Sequence, residues 1–217
     1  MIDGATLEKN LLYLSSNSLV QTLDYFDRER AERERWLPTA VLTATHCFEL
    51  ALKAKIVKTH PLLIFSELDK VGGKKQLEPV DFYLNAKTYQ LSALPNVYFA
   101  TFGDKIDGIE EFEKFVKFRN SVQHLGIPPE QDIEAELAAF LCKTVEPFLS
   151  THYQINLLDR RQEIEDKINL ISELVIHRQK FVVPDNLGIT ISDLDIKLSE
   201  IPNRYLEWLK RGFQTLP

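Results

Sequence analysis

The chain has few of the features that mark membrane proteins or disulfide scaffolds. Only two of its 217 residues are cysteine, and Cys47 and Cys142 both lie inside apolar helical patterns. This usage is typical of reduced core thiols in a cytosolic protein. No apolar run approaches the roughly 20 residues that span a bilayer. Residues 1–4 also lack the basic start of a signal peptide, so we expect a cytoplasmic protein with no membrane partner.

Familiar catalytic motifs are also missing. The sequence contains no GxxxxGK[ST] phosphate loop, no GxGxxG fingerprint, no HExxH helix and no CxxC pair. A GxSxG nucleophile elbow is absent as well, and the acidic residues show no spacing typical of paired catalytic carboxylates. The sequence alone therefore predicts no metal site and no cofactor.

The charge argues against a general binder of duplex nucleic acid. With 32 acidic and 26 basic residues, the formal net charge is −6. Proteins that bind nucleic acid through its phosphates are usually basic, because counterion release drives their affinity. A nuclease that docks one or two phosphates in a local basic cleft remains compatible with this charge.

Apolar residues recur at helical spacing along most of the chain, which predicts an all-α fold. The predicted helices cover 5–35, 38–59, 81–94, 109–125 and 129–150, with a turn at Gly72-Gly73 and an irregular connection at 96–102. The mixed-charge run 27–35 is interpreted as a solvated helix end. Four to five main helices in sequence favour an up-and-down bundle.

The last third of the chain differs in character. Its predicted elements are a helix over 159–179, a break at 181–188, a short strand or extended arm at 189–196, and a helix over 202–213. We therefore divide the chain into a helical domain, 1–150, and a small, mostly helical C-terminal extension, 151–217. The role of this extension is unknown, and we expect it to pack on the bundle.

The segment 113–124, EKFVKFRNSVQH, carries the most chemical information. It places Arg119, Asn120 and His124 near the end of a predicted helix, just before Gly126. Arginine is a permanent cation whose planar fork fits phosphate oxygens. Histidine both accepts and donates a proton near neutral pH. Together these groups are sufficient to cleave an RNA phosphodiester without a metal.

Helical geometry places Arg119 and His124 on different sides of the predicted helix. At about 100° per residue, Glu113, Lys117, Asn120 and His124 share one polar stripe opposite an apolar face. Arg119 lies about 140° from His124 by the same geometry. Three arrangements remain open: Arg119 reaches round the helix, the helix end is distorted, or a second chain supplies the partner group.

An Arg-Asn pair followed by three residues and a His, late in a helix of an all-helical domain, resembles the signature of the HEPN ribonuclease superfamily. Glu113 and Lys117 resemble an extended form of this motif. The resemblance covers residues 5–150 and does not extend to the last third of the chain.

The segment 46–56 is similar to the early helix of many HEPN proteins, on which a charged residue faces the Arg/His site. We therefore add His46, Glu49 and Lys53 as supporting candidates, with a solvated stripe as the alternative interpretation of these three.

The resemblance implies a metal-independent endoribonuclease that acts as a homodimer, in the setting of a toxin or phage-defence effector. Its substrate is RNA, and an antitoxin or another defence-system protein is an expected kind of partner. The RNA 2′-hydroxyl attacks the adjacent phosphorus while His124 acts as general base or acid. Arg119 stabilises charge on the phosphate oxygens, and Asn120 orients Arg119 or holds the phosphate. The products carry 2′,3′-cyclic phosphate and 5′-hydroxyl ends, and DNA is not cleaved because it lacks the 2′-hydroxyl.

Two alternatives belong to other functional classes. One is a catalytically silent HEPN-like module that binds a protein partner or a nucleotide. The other is a structural adaptor, in which Arg119 is buried and paired with Glu49 or Glu113 and His124 only favours the helix C-terminus. Some HEPN toxins carry a modified Tyr two residues after the His, where this chain has Gly126, so silencing by that route is not expected. The other three histidines are interpreted as surface or capping residues: His60, His152 and His177.

Overall fold

A computed structural model describes residues 3–68, 85–125, 132–184 and 187–213. Within these ranges the chain forms eight α-helices: α1 Gly4–Leu23, α2 Arg30–Thr59, α3 Leu94–Phe102, α4 Ile109–Leu125, α5 Ile133–Phe140, α6 Glu146–Tyr153, α7 Ile164–Ile176 and α8 Asn203–Phe213. A π-helical segment, Leu141–Val145, joins α5 to α6. Short 3-10 turns cover Pro61–Ile64, Leu91–Ala93, Leu158–Arg160, Ile191–Asp193 and Leu198–Glu200. The described residues contain an isolated bridge between Phe65 and Thr88 but no β-strand, which confirms the all-α prediction.

The helices are distributed over two compact units. The first comprises Met1–Ser18 and Thr45–Ile106, and the second comprises Leu19–Ala44 and Asp107–Pro217. In the first unit, the Ser15 hydroxyl donates to the carbonyl oxygen of Cys47 at 2.8 Å. Both cysteines are buried and free, as predicted. Residues 151–213 belong to the same unit as α4.

The first long predicted helix is interrupted. Residues 24–29 separate α1 from α2, so the prediction of one helix over 5–35 is wrong. Pro38, predicted to open the next helix, lies inside α2. The end of α2 before His60 agrees with the prediction.

Two buried arginines stabilise this interruption. Arg161, 6% exposed, forms ion pairs with Asp24 at 2.8 Å and with Asp27. Arg33, 7% exposed, donates to two carbonyl oxygens of the same segment at 2.9 and 3.0 Å. The prediction of a solvated charged run at 27–35 is therefore wrong at Arg33. Periodicity misses the break because its stabilising partners include a residue far along the chain.

Pro95 lies within a helix rather than at the end of one. Pro95 lies in the first turn of α3, where its missing N–H costs little. The prediction of an irregular connection at 96–102 is therefore wrong. Residues 86–90 are not helical, contrary to the predicted helix over 81–94, whose first four residues and the Gly72-Gly73 turn lie outside the described residues.

The helix predicted over 129–150 begins within the described residues at Ile133 and runs through Pro147 to Tyr153, with the π-helical segment in its middle. In the C-terminal third, α7 is shorter than the predicted helix over 159–179. Ile164 is 57% exposed, whereas Ile171 and Leu174 are fully buried.

The final helix, α8, agrees with the predicted helix over 202–213.

The segment 189–196 contains a 3-10 turn and no strand, so the strand interpretation is wrong. At the start of this segment, Thr190 and Asp193 form a reciprocal capping box that closes the 3-10 turn. These local side-chain bonds satisfy the backbone without a neighbouring strand.

Glu146, in the first turn of α6, forms hydrogen bonds with two non-helical segments of the second unit. Its side chain accepts hydrogen bonds from the backbone N–H groups of Leu157 at 3.2 Å and Val182 at 3.1 Å. The residue is 2% exposed. Burial raises the pKa of Glu146 from its usual 4.5 to about 7, although the two backbone hydrogen bonds oppose this shift.

Stability should therefore fall as pH rises from 5 to 7.5. Between pH 4.5 and 7 the folded chain retains a proton that the unfolded chain releases, so rising pH favours unfolding. A shift of this size corresponds to up to about 3 kcal/mol. Urea unfolding of the wild type and Glu146→Gln at both pH values checks this, and Glu146→Gln should lose part of the slope. An unchanged slope in the variant would rule out Glu146 as its source.

A close contact at Gly108 fixes the start of α4. Its φ is +67°, and a Cβ atom there would lie 2.2 Å from the Lys143 carbonyl oxygen. The Thr144 hydroxyl also donates to the Gly108 carbonyl oxygen at 2.9 Å. Only glycine fits this contact between the start of α4 and the π-helical segment.

Gly108→Ala should destabilise the chain more than Gly188→Ala. Gly188 has a similar φ of +69°, but nothing lies within 4 Å of its added Cβ. Both variants incur a left-handed strain of about 1–2 kcal/mol, and only Gly108→Ala adds an overpacking cost of about 1–3 kcal/mol. Chemical unfolding of both variants measures the difference, and equal losses would contradict the contact.

Candidate functional site

The helix α4 has the bounds that the sequence predicts. Phe115 is 1% exposed, and its ring stacks on Phe140 with centroids 4.3 Å apart. This contact holds the apolar side of α4 in the core and turns the opposite side outward. The predicted polar stripe is confirmed, since its four residues are all exposed: Glu113, Lys117, Asn120 and His124.

Asn120 holds the guanidinium of Arg119. The Arg119 Nη1 atom donates to Asn120 Oδ1 at 3.0 Å, while its Nε atom is buried without a hydrogen-bond partner. In the described part of the second unit, no carboxylate lies within ion-pairing distance of Arg119. Pairing with Glu113, one form of the adaptor alternative, is therefore not observed.

His124 lies in the last turn of α4. Its side chain is exposed, and no hydrogen bond joins it to Arg119, whose bond goes to Asn120. The five-residue spacing corresponds to about 7.5 Å along an α-helix and about 140° around it. One copy of α4 therefore presents the two groups on different sides.

The supporting candidates on α2 belong to the first unit, whereas the motif belongs to the second. Lys53 Nζ lies 2.6 Å from Glu49 Oε1 and donates to Thr88 Oγ1 at 3.1 Å. Lys53 is 7% exposed, so the interpretation of a solvated stripe is wrong for this residue. His46 is exposed. A role of these three residues in the site stays a prediction.

The second unit also contains a cluster that the sequence predictions missed. Glu134 on α5 and Glu173 and His177 at the end of α7 each offer one ligand atom, and these atoms all lie within 4.8 Å of one another. The Glu-x-x-x-His spacing on a predicted helix is a signal visible in the sequence, because residues i and i+4 share a helix face. Glu134 on another helix is not predictable from that spacing. We call this group the Glu134–Glu173–His177 cluster.

Two neighbours orient its carboxylates. The Tyr25 hydroxyl donates to Glu134 Oε1, and Arg33 Nη1 lies 2.7 Å from Glu173 Oε1. Burial raises the pKa of Tyr25, reinforced by the hydrogen bond to Glu134, so the phenol remains a donor. Each carboxylate thus has one anchored oxygen, and its other oxygen lies near His177.

The remaining histidines agree only in part with their predicted surface or capping roles. His60 accepts a hydrogen bond from the N–H of Leu62 through Nδ1, which is capping as predicted. His152 packs edge-on against Phe148. His177 stands at the C-cap of α7, but its imidazole is only 10% exposed.

A basic and aromatic groove lies along α8. A cavity of about 580 Å³ is lined by cationic and aromatic side chains, among them Lys180, Arg204, Arg211, Tyr205 and Trp208. Lys180 Nζ lies 6.0 Å from the centroid of the Trp208 ring. The hydrophobic pattern of the sequence predicts α8 but not the cations that gather beside it.

Comparisons with protein-family models, with curated proteins and with solved structures found no match. The HEPN resemblance therefore stays a prediction carried by the motif residues. None of the described helices combines the length and the apolar composition needed to cross a bilayer.

Arg119→Ala and Arg161→Ala should have very different effects on stability. Arg119 has no carboxylate partner among the described residues of its unit, so its removal should change the free energy of unfolding by less than about 0.5 kcal/mol. Arg161 is buried among aspartates, and breaking such pairs costs about 3–5 kcal/mol. Chemical unfolding of both variants tests this. Losses of similar size would show that Arg119 is a structural cation.

Proposed function

We propose that this chain is a metal-independent endoribonuclease of the HEPN type that acts as a homodimer. The observation that carries the proposal is the surface of α4, where Asn120 orients the Arg119 guanidinium and His124 is exposed on another side of the same helix. A guanidinium without a carboxylate partner keeps its charge for a phosphate, whereas a paired one is already neutralised. An exposed imidazole is accessible to the ribose.

In the proposed two-fold dimer, the Arg119 guanidinium of one subunit meets the His124 imidazole of the other. Two antiparallel copies of α4 that cross near residues 121–122 would set Arg119 of one copy level with His124 of the other, because this arrangement cancels the offset of about 7.5 Å along each helix. The long Arg119 side chain then reaches round its helix to cover the remaining angle of about 140°. Two-fold dimers are the commonest oligomers, and their interfaces use the same patch on both subunits.

The proposed reaction needs only groups from these two helices. The imidazole of His124 takes the proton of the RNA 2′-hydroxyl as the oxygen attacks phosphorus. The bond from phosphorus to the 5′ oxygen breaks, and this leaving oxygen takes a proton from the partner's His124. The guanidinium of Arg119 stabilises the charge on the non-bridging oxygens. The products are a 2′,3′-cyclic phosphate and a 5′-hydroxyl.

The groove along α8, whose lining also includes Glu207, supports a single-stranded nucleic acid as substrate. Cationic side chains beside an aromatic ring suit single-stranded nucleic acid, since phosphates pair with the cations and bases stack on the ring. This groove concentrates Lys180, Arg204 and Arg211 in a chain whose net charge is −6. A local basic surface is what an acidic ribonuclease requires.

Purified protein should cleave single-stranded RNA in EDTA and leave DNA of the same sequence intact. His124→Ala should lower the rate by about 10²–10⁴-fold, the usual contribution of a general acid or base. Gln123→Ala is the matched control, because Gln123 is the exposed neighbour on the same turn and has no role in the mechanism. The measurement is single-turnover cleavage, with the chemistry of the new ends determined.

Circular dichroism in the same buffer establishes that each protein remains folded in EDTA. RNA left intact by folded wild-type protein, or cleaved equally by His124→Ala, would refute the proposal. Intact RNA would favour the silent interaction module instead.

A further inference from the structure

We infer that the Glu134–Glu173–His177 cluster binds one divalent transition-metal ion, with Zn²⁺ the best match among the common ions. The cluster lies within the second unit and uses none of the residues of the proposed ribonuclease site. The inference therefore stands whether or not the chain cleaves RNA.

The geometry is close to that of a coordinated ion. His177 Nε2 lies 3.9 Å from Glu134 Oε2 and 4.0 Å from Glu173 Oε2. A tetrahedral Zn²⁺ with bonds of about 2.0–2.2 Å needs ligand atoms about 3.3–3.5 Å apart. The two pairs that involve His177 would close by about half an ångström each, and the two carboxylate oxygens, which lie within 4.8 Å of each other, by up to about 1.4 Å. Side-chain rotations can supply movements of this size.

An unpartnered buried nitrogen points to the ligand. The His177 imidazole is 10% exposed, and its Nε2 atom has no hydrogen-bond partner. Buried polar atoms are normally satisfied, and distances of 3.9–4.0 Å are too long for a hydrogen bond to either carboxylate. A metal ion between the three groups would use the lone pair of this nitrogen and explain why it faces two carboxylate oxygens.

The surroundings resemble the outer support of a metal site. Tyr25 and Arg33 each hold the far oxygen of one carboxylate, and outer hydrogen bonds of this kind fix the orientation of ligands. The Arg33 charge also reduces the repulsion between two neighbouring carboxylates. Glu134 and Glu173 therefore keep their near oxygens available on the side of His177.

The ligand set favours Zn²⁺ over Mg²⁺. Mg²⁺ prefers oxygen ligands and retains several waters, whereas imidazole suits zinc and its neighbours in the periodic table. Three protein ligands leave one tetrahedral position for water. The Glu134 side chain is 33% exposed, so solvent can reach that side of the cluster.

Isothermal titration of chelator-treated full-length protein with ZnCl₂ tests the inference. The wild type should bind one equivalent. Loss of an outer-shell partner usually weakens metal binding 10–100-fold, so removing a ligand in His177→Gln or Glu134→Gln should weaken it at least about 100-fold. Glu173→Gln is less suitable, because it leaves the buried Arg33 charge without its partner.

Two matched controls exclude non-specific binding. Glu136→Gln makes the same chemical change on the same helix as Glu134, and His124→Gln removes an exposed imidazole outside the cluster. Both should bind Zn²⁺ like the wild type, and the second separates this site from the proposed ribonuclease site. Co²⁺ should give a visible absorption band that His177→Gln loses. Absence of saturable Zn²⁺ binding in the wild type, or unchanged affinity in His177→Gln, would overturn the inference.

Discussion

The second unit depends on the buried guanidinium of Arg33. It donates to the carbonyl oxygens of the segment between α1 and α2 and pairs with Glu173 on α7. An arginine buried to this degree is tolerable only when its charge and its donors are satisfied. The same contacts link α2 to α7 and anchor one carboxylate of the cluster. Local backbone geometry, packing and a candidate binding site are thus linked through one side chain.

The sequence predicts the elements whose pattern is local and misses those that depend on distant partners. The bounds of α4 and its exposed stripe follow from amphipathic spacing alone. The interruption at 24–29 depends on Arg161, which lies 137 residues from Asp24, and no window of the sequence connects them. The Glu134–Glu173–His177 cluster escapes prediction for the same reason, because two of its ligands share a helix and the third does not.

The two candidate sites differ in what they demand of the fold. The stripe on α4 needs only a helix held firmly by its apolar side, which the stack of Phe115 on Phe140 provides. In the proposed mechanism, a second molecule would complete its chemistry. The cluster needs three side chains brought together within one unit, and its carboxylates are oriented by Tyr25 and Arg33. The proposed ribonuclease site would therefore be sensitive to association of the chain, and the proposed metal site to the internal packing of its helices.

The π-helical segment Leu141–Val145 has a consequence for the angular phase of the helix that contains it. A π-helical turn carries one residue more than an α-helical turn, which rotates everything after it by about 100° relative to an uninterrupted helix. Phe140 before the segment meets the core face of α4, whereas Glu146 after it meets the amides of Leu157 and Val182. A regular α-helix over the same residues, with none removed, would turn the Glu146 carboxylate away from both amides.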